Sequence, residues 1–169
     1  MIDGSRLLAL AATAFAIIVV PGPSVLFVIS RGVTLGRRAG LATVLGNASG
    51  LAVQVGAVAV GLGQVVERSV TVFNVLKFCG ALYLVYLGVQ AIRHRRGLAE
   101  AFAVGVEDIP VRRMIREGFL VGVTNPKSIV LFTAILPQFV DPRGAAPSVQ
   151  LLVLGAICVA IALLSDGAW

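Results

Sequence analysis

Apolar residues fall in five long runs along this chain, at about 7–29, 41–66, 70–92, 118–140 and 148–165. Each is near the ~20 residues that a helix needs to cross a ~30 Å hydrocarbon core. None alternates apolar and polar positions as a barrel strand would. In lipid, backbone hydrogen bonds must close within the segment, so the pattern predicts an all-α, polytopic bundle of five transmembrane helices in a single domain over 1–169. The first run follows Arg6, as in a signal peptide, but it continues through "VVPGPSVLFVIS" without a small-x-small cleavage site. It reads as a retained helix.

Two short stretches interrupt the apolar pattern, "PGPS" at 21–24 and "NPKS" at 125–128, followed by the similar runs "SVLF" and "SIVLF". They form a weak internal repeat. They lie in the first and fourth spans, an odd number of crossings apart, so the two copies would be inverted. A proline removes a backbone donor and clashes one turn back. Freed backbone is tolerated at membrane depth only where protein buries it or a cavity needs it. Pro21, Gly22 and Pro23 with Asn125 and Pro126 therefore point to paired broken helices at a transport site. The plain alternative is a packing kink at each proline.

Lys127 sharpens the choice. It lies about ten residues, ~15 Å, from the end of its span, too deep to reach an interface easily. An ammonium there costs about 2.5–3.5 kcal/mol on insertion scales. It is expected to face a polar cavity, binding a carboxylate or pairing with a buried acid. Lys77 lies nearer a membrane face, where snorkelling and ion coupling stay equally open. In the second span Gly40, Asn47, Gln54 and Gly61 recur every seven residues and share one helical face, with drift. That face should turn inward, for interhelical hydrogen bonds or to line a cavity. The GxxxG steps Gly46/Gly50 and Gly118/Gly122 mark close helix packing, within one chain or between two copies in a homo-oligomer. Asp166, the one acid near the last span, either marks the helix end or carries a proton.

Composition agrees with the membrane reading: 58% of residues are hydrophobic and 13% charged, about half the charge of a soluble domain. The net charge of +6 would suggest nucleic acid on a soluble protein. Here the charge sits between apolar runs, with few aromatics to stack bases, and no nucleic-acid partner is expected. Cys79 and Cys158 lack metal-ligand spacing, and the sole histidine, His94, lies in the basic stretch "RHRR". No paired acids or histidines are present to run an enzyme's chemistry, and no cofactor or metal is expected.

Basic residues distribute unevenly among the connections. Arg31, Arg37 and Arg38 follow the first span, and Arg93, Arg95, Arg96, Arg112, Arg113 and Arg116 the third; the other two connections hold only Arg68 and Arg143. By the positive-inside rule the basic connections are cytoplasmic and the N-terminus is outside. The long connection, about 93–117, also holds Glu100, Glu107 and Asp108, and reads as a cytoplasmic loop with room for a short surface helix.

The segments "PGPSVLFVISRGVTLGRRAGLATVLGNASG", "LKFCGALYLVYLGVQAIR" and "FLVGVTNPKSIVLFTAILPQFV" together resemble the LysE/RhtB family of bacterial amino-acid exporters, over residues 15 to 140. The resemblance implies an inner-membrane, six-helix exporter of amino acids or similar small metabolites, driven by the proton gradient. It matches Pro21, Gly22 and Pro23 to the first-helix motif, Lys77, Gly80 and Tyr83 to the third, and Asn125, Pro126 and Lys127 to the fourth. Against that pattern the chain, ending in "LLSDGAW", lacks a sixth helix and reads as C-terminally truncated. The resulting expectation is a proton-coupled amino-acid exporter in the lipid bilayer, with its site between the repeats, Lys127 attracting the substrate carboxylate, and free backbone carbonyls at the breaks, around 21–23 and 125–126, holding its ammonium. The rival is a membrane scaffold or accessory subunit that does not transport, or an inactive truncated exporter.

Overall fold

The computed structural model describes residues 4–68 and 109–169, with seven further positions between 71 and 89. Among the described residues every regular element is helical. α1 (Gly4–Val19) and α2 (Pro23–Leu35) come first, then α3 (Arg37–Arg68). α4 (Val111–Val123) and α5 (Pro126–Val130) follow, and α6 (Pro147–Ala168) is last. Thr71, Val75, Phe78, Leu82, Val85, Tyr86 and Val89 are helical and exposed, and at ~100° per residue they fall on one outward face. The rest of the predicted span 70–92, with Lys77, Cys79, Gly80 and Tyr83, and the stretch 93–108 with His94, lie outside the described residues.

The prolines set the breaks. Pro21 and Pro23 have no N–H to give to the turn before them, and Gly22, ahead of Pro23, is extended at φ −105° and ψ −178°. α1 therefore stops, and α2 restarts with Pro23 in its first turn, where a missing N–H costs nothing. The two halves meet at 57°. At the second break Asn125 is extended and its Oδ1 accepts from the Lys127 N–H, capping α5, again with Pro126 in the first turn. α4 and the segment Pro126–Phe139 meet at 44°. Another proline, Pro137, follows α5; the chain widens into a π turn over Leu131–Ile135 and tightens into a 3-10 turn over Leu136–Phe139. Gln138 Nε2 donates to Ala134 O across this irregular stretch at 2.6 Å. α3 over Arg37–Gly61 and α6 are each long and apolar enough to cross a bilayer, and each bent pair would add one span.

α4 begins at Val111, seven residues ahead of the predicted span, so Arg112, Arg113, Arg116 and Glu117 are helical rather than loop. The cause is amphipathic spacing. Met114, Gly118 and Gly122, four residues apart, are buried along one face, and the arginines project from the others.

α3 runs through the centre, against α2, α4 and α6. Its contact with α4 is backbone to backbone. A methyl group on Gly50 would sit 2.5 Å from Phe119 O, and one on Gly46 or Gly118 would run into Ile115 O or Thr43 O. The glycine steps thus let two helices touch within one chain. A core of Leu10 and Ala14 from α1, Leu51 and Val55 from α3, Phe132 and Leu136, and Leu151 and Leu154 from α6 fills the rest. Large apolar side chains such as Leu8, Phe15, Val33, Val60 and Leu164 are exposed on the outside. Such a surface suits lipid, and the chain is a helical membrane bundle.

Candidate functional site

The two breaks meet inside the bundle. Asn125 Nδ2 donates to Ser24 Oγ at 2.9 Å, tying the second break to the first turn of α2. Both restarted helices begin alike: Leu26 N–H donates to Gly22 O, and Ile129 N–H donates to Asn125 O, each at 3.0 Å. The corresponding pairs are therefore Gly22-Pro23 and Asn125-Pro126, one residue out of step with the sequence match of "PGPS" to "NPKS". The slip arises because Lys127 is one residue more than the first copy has between its proline and its "SVLF"-like run.

A helix that stops inside protein leaves its last carbonyls without partners. Here side chains fill that need at both breaks. Lys127 Nζ donates to Ile18 O at 3.3 Å and also to Val20 O, so the ammonium closes the end of α1. Gly22 makes room for the lysine stem, since a Cβ there would lie 3.2 Å from Lys127 Cδ. Gln54 of α3 donates Nε2 to Gly122 O at 3.1 Å and Val123 O at 2.9 Å, closing the end of α4. The sequence expectation of open carbonyls at the breaks is thereby corrected: these four already have donors. Pro21 and Pro23 are exposed, so they shape the break without lining the interior.

Beside the breaks lies a cavity of about 40 Å³, lined by Ser24, Asn47, Asn125, Lys127, Ser128 and Asp166 among apolar side chains that include Leu51, Phe132, Cys158 and Ala162. That volume suits roughly one water, far below the ~300–1,000 Å³ of ligand pockets. The cavity is too small to hold an amino acid in this conformation. Asp166 is 4% exposed, buried despite standing near the end of α6. Its Oδ2 accepts from Asn47 Nδ2 at 2.9 Å. Lys127 and Asp166 line the same cavity, yet no ion pair within 4.0 Å joins them. Asn47 Oδ1 and Gln54 Oε1 are buried without a hydrogen-bond partner.

The structure thus gathers Gly22, Asn47, Gln54, Asn125, Pro126, Lys127 and Asp166 around one junction, while Lys77 lies outside the described residues. Of the seven-residue repeat on α3, Gly40, Asn47 and Gln54 are buried, but Gly61 is exposed. A straight helix drifts ~20° per heptad, and three steps carry Gly61 off the inner face. The sequence reading passed over Ser24 and Ser128, which sit in the quoted motifs, and did not anticipate the contact of Asn47 with Asp166.

The family model described as LysE type translocator matches residues 15–165. A membrane protein of Vibrio cholerae serotype O1 is 37% identical over 150 residues, covering 88% of this chain and 71% of that protein. The homoserine/homoserine lactone efflux protein of Salmonella typhimurium is 30% identical over 141 residues, 83% of this chain and 67% of that one. The leucine efflux protein of Klebsiella pneumoniae is 29% identical, covering 82% and 65%. No solved structure matches.

Proposed function

The chain belongs to the LysE-type translocator family, and on that premise we propose that it exports amino acids with neutral side chains across the bacterial inner membrane in exchange for protons. The observation that carries the reading is the facing of Lys127 and Asp166 in one small cavity without an ion pair between them. A zwitterion needs a cation for its carboxylate and an anion for its ammonium. Lys127 supplies the first and Asp166 the second. Asn47 fixes the Asp166 carboxylate, and its own unpartnered Oδ1 can take a further N–H of the ammonium. Apolar walls at Leu51, Phe132 and Ala162 suit a neutral side chain, and the described lining holds no second acid for a basic one. The relatives named for homoserine/homoserine lactone and leucine efflux support the same class.

Exchange follows from the single carboxylate. Asp166 can hold a proton or the substrate ammonium, and protonation removes the charge that the ammonium needs. A proton arriving from outside therefore displaces the amino acid, and its loss to the cytoplasm prepares the site for the next. Lys127, released from Ile18 O and Val20 O to meet the carboxylate, would leave the end of α1 uncapped, which couples binding to movement at the break. The arginine distribution supports an N-terminus outside, with the α2–α3 turn in the cytoplasm.

The test is amino-acid efflux from bacteria loaded with dipeptides, comparing the chain, Lys127→Met, Asp166→Asn and no chain, at matched membrane levels. The chain should release neutral amino acids, and both variants should fall to background. In vesicles, collapsing the proton gradient should stop uphill export. Equal efflux from the chain and its variants would refute the site, and uphill export without a gradient would refute the antiport.

A further inference from the structure

Two ion pairs stand at opposite ends of the site, and neither lines the cavity. At one end Arg31 of α2 donates through Nη2 to Glu117 Oε2 of α4 at 2.7 Å. Its guanidinium lies 5.1 Å from the Phe27 ring centre, and Arg113 Nε donates to the other oxygen of Glu117 at 2.9 Å. At the other end Arg6 of α1 donates to Val140 O at 3.0 Å and lies 3.8 Å from Asp141. Asp141 is fastened to α6: its N–H donates to Gln150 Oε1, and Gln150 Nε2 donates back to Asp141 O and to Ala145 O.

The layout is crossed. Arg31 and Glu117 join the second half of the first broken helix to the first half of the second, each about 12 Å along its helix from the break. Arg6 and Asp141 join the first half of the first broken helix to the chain just beyond the second, with Arg6 about 21 Å of helix from its break. The two broken helices run antiparallel, so these are the ends at which the pair can part, one on each side of the cavity. Partly exposed ion pairs suit this task, because water can replace them at small cost once the helices separate.

We propose that Arg31–Glu117 and Arg6–Asp141 are the two gates of the transporter, opening in alternation on opposite faces of the membrane. Both ion pairs are formed here, beside a cavity too small for a substrate. The proposal rests on the transport reading above, but its test does not depend on flux. Cys158 lines the cavity and is 1% exposed, so it is a native reporter of access. In a Cys79→Ser background it is the sole thiol.

The experiment measures the rate at which a membrane-impermeant charged thiosulfonate modifies Cys158 in right-side-out and inside-out vesicles. Glu117→Gln should raise the rate about two- to fivefold from one face only, the range set by the loss of a partly exposed ion pair. Asp141→Asn should raise it by a similar factor from the opposite face only. Arg31→Gln should raise the rate from the same face as Glu117→Gln, and the double variant should be no faster than the faster single variant, because the α2–α4 ion pair is lost only once. Unchanged rates in well-inserted variants, equal rises from both faces, or both gates answering from the same face would overturn the proposal. Side-specific labelling in a chain that exports nothing would keep the gates and remove the export reading. Intact efflux with unchanged labelling would do the reverse.

Discussion

Gly50→Ala tests whether the α3–α4 contact sets the geometry of the site. The added methyl would lie 2.5 Å from Phe119 O and 2.6 Å from Val123 N, both backbone atoms that no rotamer can move. An ordinary contact begins at 3.4 Å, so the helices must separate by about 0.9 Å near this level. Gln54 bonds to the same helix at 3.1 and 2.9 Å, and that shift takes both beyond hydrogen-bonding distance. Overpacking of this kind costs about 1–3 kcal/mol, and buried hydrogen bonds in membrane proteins average about 0.6 kcal/mol each. Against this, alanine favours the helix by about 0.8–1 kcal/mol over glycine. The net expectation is about 2 kcal/mol of lost stability. Gly56→Ala on the same helix meets nothing within 4 Å and keeps only the propensity gain. The two substitutions should differ by about 3 kcal/mol. A denaturation titration in mixed micelles, followed by circular dichroism, measures the gap, and efflux should fall for Gly50→Ala alone. If both alanines shift the midpoint alike, the contact is not the rigid element argued for.

Other substitutions test single links. Gln54→Leu keeps the volume but leaves Val123 O without its donor and Gly122 O with only its backbone partner Asn125 N–H, while also removing an unpartnered Oε1. It should destabilise by about 1–2 kcal/mol in the same titration, and a neutral result would show that the α4 end is satisfied otherwise. Gly36→Ala places a side chain where φ is 86° and ψ 170°, a region nearly confined to glycine. With nothing near its Cβ, the loss should be pure backbone strain of about 1–3 kcal/mol, and a change under ~0.5 kcal/mol would contradict it.

How legible the site was depended on distance along the chain. The breaks could be read because a proline acts on its own backbone within one turn, so "PGP" and "NPK" announce them without knowledge of any neighbour. The burial of Asn47 and Gln54 could be read from a seven-residue period, until helical drift turned Gly61 outward. What each polar group touches could not. Asp166 pairs with Asn47 across 119 residues, and Lys127 reaches Ile18 across 109. Nothing local in "LLSDGAW" separates an acid that ends a helix from one that enters a cavity. The difference lies in tertiary contact: α6 packs along α3, and that contact turns Asp166 onto the face that holds Asn47. The same reasoning explains why open carbonyls at the breaks were the natural sequence expectation. A helix end is a local fact, whereas the groups that close it come from wherever the fold brings a donor, here Lys127 for α1 and Gln54 for α4. Each donor leaves a consequence at the cavity. On the proposed reading a substrate carboxylate would compete with Ile18 O and Val20 O for the N–H groups of Lys127, and Gln54 caps α4 only while α3 and α4 stay in contact. Ligand binding and helix position would then be competing demands on the same few side chains, as the proposed transport site requires.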